Sequence, residues 1–105
     1  MLNLKVEEFA EKITQENVRI LDVRTPEEFA EGYIEGAQNI DFHRDDFEIE
    51  INVLDKQVTY AVYCRSGKRS GLAAHMMQEA GFISVFNLDG GIIDWAKAGM
   101  PRAGK

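Results

Sequence analysis

The stretch Tyr60-Ala61-Val62-Tyr63-Cys64-Arg65-Ser66-Gly67-Lys68-Arg69-Ser70 holds the only cysteine of the chain and, within five residues of it, Arg65, Lys68 and Arg69. An apolar run ends at Tyr63 and a helical pattern begins near Lys68. Cys64 is therefore expected at the carboxyl end of a parallel strand, where open α/β sheets place their sites. The connecting loop is short, and Gly67 lets it curl. Successive N–H groups of such a loop can converge into an anion nest. The helix that follows adds free amides and the positive end of its dipole. Nearby cations and converging donors both favour a sulfur carried as an anion. The chemistry that fits is a nucleophilic sulfur that links covalently to its substrate, with the amides from Arg65 to Arg69 holding the charge. A lone cysteine is more often a small buried hydrophobe. That role does not require a basic, glycine-bearing loop at a strand-to-helix junction.

Loop size separates two chemistries. Cysteine phosphatases are known for a cysteine, five residues, then an arginine. Counted from Cys64, that position is Ser70, and Arg69 comes one residue early. A smaller cradle suits a single sulfur atom better than a tetrahedral phosphate.

The elements that must position this loop can be read from periodicity. Val18 to Val23, Val58 to Tyr63 and Val85 to Leu88 are β-rich apolar runs, the first two nearly continuous, as in strands buried on both faces. Helical patterns separate them, which predicts an α/β domain with a largely parallel sheet, a single domain over residues 1–105. A first helix is expected over Val6 to Ile13, with Phe9, Ala10 and Ile13 inward. A second starts at Thr25-Pro26-Glu27-Glu28, where Thr25 and Glu28 can form a capping box and Pro26 suits the first helical position, and Gly32 ends it. A third runs from Lys68 to Ala80 with Leu72, Ala73, Met76, Met77 and Ala80 as its apolar stripe, stopped by Gly81 with Phe82 as hydrophobic follower. A last helix covers Ile92 to Ala98, and a short one is expected around Asp45 to Ile51.

Bulk properties exclude several classes. The 105 residues suffice for one core. The net charge of −6 argues against nucleic acid and against an anionic membrane as partners. The amino terminus has no basic region followed by an apolar stretch, so a cytoplasmic location is expected. One cysteine forbids an internal disulfide, and His43 and His75 follow no ligand spacing, so no metal site is expected; a reaction carried by the Cys64 sulfur requires no organic cofactor either. Both histidines read as surface or helix residues, Met76 and Met77 as helix packing, and Trp95 as core. Asp45, Asp46, Glu48 and Glu50 read as a solvated acidic face. Asp22 and Arg24 read as a buried ion pair at a strand end. Gly90 and Gly91 read as residues that let the backbone approach the Cys64 loop.

Three ordered motifs carry a family resemblance. Cys64-Arg65-Ser66-Gly67-Lys68-Arg69 resembles the six-residue active-site loop of rhodanese-type sulfurtransferases. Leu21-Asp22-Val23-Arg24-Thr25-Pro26-Glu27-Glu28-Phe29, continuing to Gly36-Ala37-Gln38-Asn39-Ile40, is similar to the amino-terminal signature of that family. Leu88-Asp89-Gly90-Gly91-Ile92-Ile93-Asp94-Trp95 is similar to its carboxyl-terminal one. Tyr33 and Glu35 replace a histidine and a proline that the family usually carries. The resemblance covers residues 3–101 and implies a rhodanese-like three-layer α/β/α fold with a mainly parallel five-stranded sheet. It implies a thiosulfate sulfurtransferase. Cys64 would be the catalytic nucleophile carrying a persulfide, and Arg65, Ser66, Gly67, Lys68 and Arg69 would bind substrate. The donor would be a small sulfur anion such as thiosulfate or a persulfide, and the acceptor cyanide, a thiol or a protein cysteine. A rhodanese-like module that only carries sulfur or docks a partner is the rival reading; a small cysteine phosphatase or arsenate reductase is the other.

Overall fold

The computed structural model describes residues 1–104. In chain order the elements are β1 (Leu2–Leu4), α1 (Val6–Lys12), β2 (Val18–Asp22), α2 (Pro26–Ala30), β3 (Gln38–Asn39), α3 (Phe47–Asn52), β4 (Thr59–Tyr63), α4 (Lys68–Glu79), β5 (Ser84–Leu88) and α5 (Gly91–Lys97). The strands form one five-stranded sheet in the order β1-β5-β4-β2-β3, and every paired neighbour is parallel. The two long apolar runs become the interior strands β2 and β4, covered on both faces.

Alternation along β4 divides the core in two. Tyr60, Val62 and, just past the strand, Cys64 join the cluster built with Phe47 and Ile51 of α3 and Ala73, Ala74 and Met77 of α4. Ala61 and Tyr63 join the cluster built with Val6 and Phe9 of α1 and Ile92 and Trp95 of α5. The sheet thus lies between two helical layers, as the family resemblance implies. Strands β1 and β3 span three and two residues, too few to form a recognisable run in sequence.

Local chemistry explains the helix ends. Thr25 Oγ1 accepts the Glu28 N–H at 3.2 Å, and the Glu28 carboxylate accepts the Thr25 N–H at 3.0 Å, so the expected capping box starts α2. At the end of α4, Phe82 N–H donates to Met77 C=O and Gly81 N–H to Gln78 C=O, a Schellman stop with Phe82 buried behind it. The expected stripe on α4 needs one correction: Leu72 is 55% exposed, and Ser70 and Ala74 take the inward places beside Ala73 and Met77. Ser70 faces inward to bond Cys64 Sγ, and Leu72, two residues on, lies about 200° away around the helix and faces solvent. Trp95 is core, with its indole N–H donating to Pro101 C=O at 2.8 Å.

The buried ion pair of Asp22 and Arg24 also forms. Arg24 Nη2 lies 2.7 Å from Asp22 Oδ2 and donates at 2.7 Å to Gly32 C=O. Burial works against the guanidinium charge, but the hydrogen bond and charge of Asp22 outweigh it and raise the Arg24 pKa. Burial, and then the charge of Asp22, push the Tyr63 phenol up as well, so it stays neutral and accepts the Ile34 N–H at 3.0 Å. Tyr33, one of the two departures from the family pattern, stacks on Phe29 with ring centroids 4.1 Å apart. It also exchanges backbone hydrogen bonds of 3.1 and 2.7 Å with Ala103.

Removing one partner of a buried pair strands the other charge, at a cost of about 3 kcal/mol. Asp22→Asn is expected to lower stability in urea by about that amount, followed through Trp95 fluorescence. A loss below about 1 kcal/mol would show that the pair does not hold the β2 end.

Candidate functional site

Strand β4 delivers Cys64 to the carboxyl edge of the sheet, and the chain then turns through Arg65, Ser66 and Gly67 into α4. Gly67 takes φ +97° there, in the left-handed region. A side chain at that position would also press on Gly90 N and Leu88 C=O, each at 3.1 Å. The turn brings three donors onto one atom. Gly67 N–H, Ser70 N–H and the Ser70 hydroxyl point at Cys64 Sγ from 3.2, 3.3 and 3.3 Å.

Two neighbouring elements hold the loop in that shape. Gly91 approaches so closely that a Cβ there would fall 2.3 Å from Arg65 C=O, and the amides of Ile92 and Ile93 donate to Cys64 C=O and Arg65 C=O at 2.9 and 3.1 Å. The close approach expected of the glycine pair is thus made by Gly91 onto the loop backbone. From the sheet side, Asn87 Nδ2 donates to Gly67 C=O at 3.2 Å, and Gly71 N–H donates to the same oxygen at 3.0 Å. The carbonyls of Cys64, Arg65 and Gly67 are therefore engaged elsewhere, and the amides of Gly67 and Ser70 face the sulfur.

The side chains of the loop divide by charge state. Arg65, Ser66 and Lys68 are exposed. Neither Arg65 nor Lys68 has a carboxylate within ion-pair distance among the described residues. Arg69 is different: its guanidinium grips Glu28 of α2 in a two-pronged contact of 2.8 and 2.9 Å. The Arg69 hydrogen bond is the main reason that Glu28 titrates far down, to about 2, and Glu28 in turn raises Arg69. Arg69 ties α2 to the start of α4, and its charge is largely neutralised. The free cations of the site are Arg65 and Lys68.

Cys64 itself is 1% exposed. It belongs to the apolar cluster between the sheet and α4, yet three hydrogen-bond donors reach its sulfur. Ser70 is the contributor that sequence reading missed. It lies at the third position of α4, where an N–H is still free of the helix ladder. A serine at that position, six residues past the cysteine, is the signal that could have found it. His43 and His75 are both exposed, and no group of three His, Cys, Asp or Glu side chains among the described residues could hold a metal ion. No helix among them is long and apolar enough to cross a membrane.

Comparison with known proteins gives a consistent picture. The family model described as "Rhodanese-like domain" matches residues 5–98. A sulfurtransferase of Allochromatium vinosum is 40% identical over 86 residues, covering 82% of this chain and 78% of that protein. The thiosulfate sulfurtransferase PspE of Escherichia coli is 38% identical over 82 residues, covering 78% and 75% of the two chains. Among solved structures, a rhodanese-related protein from Thermoplasma volcanium superposes with a TM-score of 0.87 at 28% identity, over 100% of both chains.

The Arg69–Glu28 pair has a pH signature. Glu28 titrates near 4.5 when free and near about 2 in the folded chain. Between those values the unfolded state binds more protons, so the pair stabilises fully above pH 4.5 and its contribution is lost as pH falls toward about 2. Glu28→Gln is expected to flatten the acid side of the stability–pH curve in that window. An unchanged slope in thermal melts would show that the pair does not stabilise the fold.

Proposed function

The chain belongs to the rhodanese-like domain family, and on that premise we propose that it is a thiosulfate sulfurtransferase with Cys64 as its nucleophile. The observation that carries this reading is the convergence of three hydrogen-bond donors on Cys64 Sγ. Donors in such numbers lower the energy of a sulfur that bears negative charge.

The reaction has two steps. The Cys64 thiolate attacks the outer sulfur of thiosulfate. A new S–S bond forms, the old one breaks, and its electron pair leaves with sulfite, so that Cys64 carries a persulfide anion. An acceptor nucleophile, either cyanide or a thiolate, then attacks the outer persulfide sulfur and takes it away, and the bond electrons return to Cys64 as thiolate. Charge is conserved in both steps, and no metal or organic cofactor is consumed. Arg65 and Lys68, the unpaired cations of the loop, attract the donor anion and steady the departing sulfite. The burial of Cys64 restricts the donor to one whose reacting sulfur is terminal and unbranched, as it is in thiosulfate and persulfides. A reducing, cytoplasmic setting keeps the lone thiol free.

The phosphatase reading loses ground on the same geometry. Beyond the loop being one residue short, Arg69, the nearest candidate to grip a phosphate, is already held by Glu28.

Incubation with thiosulfate followed by intact mass measurement should show one added sulfur on the protein, and none on Cys64→Ser. An equal gain on that variant would refute the nucleophile assignment. Ser70→Ala, which removes one donor worth on the order of 1.4 kcal/mol, should lower kcat/KM about tenfold. A rate equal to that of the unaltered protein would remove Ser70 from the mechanism. Lys68→Ala should raise the KM for thiosulfate more than it lowers kcat, and an unchanged thiosulfate dependence would count against steering by Lys68.

A further inference from the structure

Beside the Cys64 loop lies a cavity of about 340 Å³, walled by the α2 end, the start of α5 and the carboxyl-terminal strap. It does not include Cys64, but it borders the loop through Arg65 and through Ile92 and Ile93, whose amides are bonded to the loop carbonyls. Thiosulfate is little larger than sulfate and would leave most of this space empty, whereas the volume is in the range that binds small organic molecules.

The charges in the cavity do not cancel. Arg24 is neutralised by Asp22, and Glu28 by Arg69. That leaves Arg65 and Arg102 against Glu31, one net positive charge in a chain whose total is −6. Neither Arg65 nor Arg102 has an ion-pair partner among the described residues. Ile92, Ile93 and Ala96 supply an apolar wall.

Arg102 is held at this place by its neighbours. Pro101 C=O accepts the Trp95 indole N–H, and Ala103 is doubly bonded to Tyr33. The strap is thus pinned on both sides of Arg102. The main chain of Tyr33 provides the second of those anchors.

We propose that Arg102, together with Arg65, is a specificity residue that holds the carboxylate of an organic thiol or persulfide while the sulfur of that molecule reaches the Cys64 loop. The inference rests on the sulfurtransferase reading and adds the class of acceptor: a thiol carrying a carboxylate, in preference to a neutral one. Guanidinium–carboxylate contacts can be two-pronged, which fixes orientation as well as charge.

A matched pair of probes tests it. N-acetylcysteine and N-acetylcysteamine differ by one carboxylate on the same thiol skeleton. The ratio of their kcat/KM values as sulfur acceptors should favour N-acetylcysteine about tenfold, as expected for one charge-assisted contact. The ratio should fall close to one in Arg102→Ala and recover in part in Arg102→Lys. A merely structural role for Arg102 would lower both values together and leave the ratio where it was, and that result would overturn the proposal. A second arm needs no turnover. Cys64→Ser protein titrated with N-acetylcysteine should show shifts of the Arg102 side-chain N–H in NMR spectra that N-acetylcysteamine does not produce. Absence of those shifts overturns the cavity assignment whatever the kinetics show. Their presence without persulfide formation on the unaltered protein would leave the cavity in place and defeat the sulfurtransferase reading.

Discussion

Three hydrogen bonds to one sulfur set the terms for the rest of the molecule. For Gly67 N–H, Ser70 N–H and the Ser70 hydroxyl to meet at Cys64 Sγ, the loop must curl within a few residues and enter α4 without losing its aim. That curl needs a left-handed residue, and glycine supplies it at Gly67. It also needs the loop carbonyls to be occupied elsewhere, since a carbonyl oxygen turned toward an anionic sulfur would repel it. The amides of Ile92 and Ile93, the Asn87 side chain and Gly71 N–H meet that need. The sheet order follows the same logic. β4 lies between β5 and β2, so the segments beyond those two strands, the glycine pair and α2, come to flank the cysteine loop.

Much of this was legible in the chain because it is local. The capping box at Thr25, the Schellman stop at Gly81 and the extents of α2 and α4 depend on residues within a few positions of one another. The buried strands announced themselves by continuous apolar runs. The approach of the glycine pair to the loop was legible only as a motif, since it joins segments more than twenty residues apart. What stayed hidden was tertiary. β1 and β3 exist because β5 and β2 offer edges to pair with, not because their own sequences insist on it. Leu72 fits an apolar stripe by spacing, yet α4 packs with Ser70 turned to the sulfur and Leu72 to solvent. Arg69 looked like a third cation for the site, and only the fold shows Glu28 arriving from another helix to occupy it.

The burial of Cys64 joins stability to chemistry. An apolar pocket of the same exposure would hold a neutral thiol and make a charged one costly. Here Gly67 N–H, Ser70 N–H and the Ser70 hydroxyl reach the sulfur although the residue itself is buried. In such an environment fixed dipoles act without solvent having to reorganise. Arg69 and Glu28 add rigidity from outside, locking the first turn of α4 to α2.

Two of the three groups that bond to the sulfur are main-chain amides, and the backbone there is clamped by a contact too tight for any side chain at Gly91. Arg65, Ser66 and Lys68 meanwhile stand outward, free of that clamp. Such a division lets the outward side chains be exchanged without disturbing the socket in which the sulfur is seated; on the proposed reading, that exchange would change the clientele and keep the chemistry.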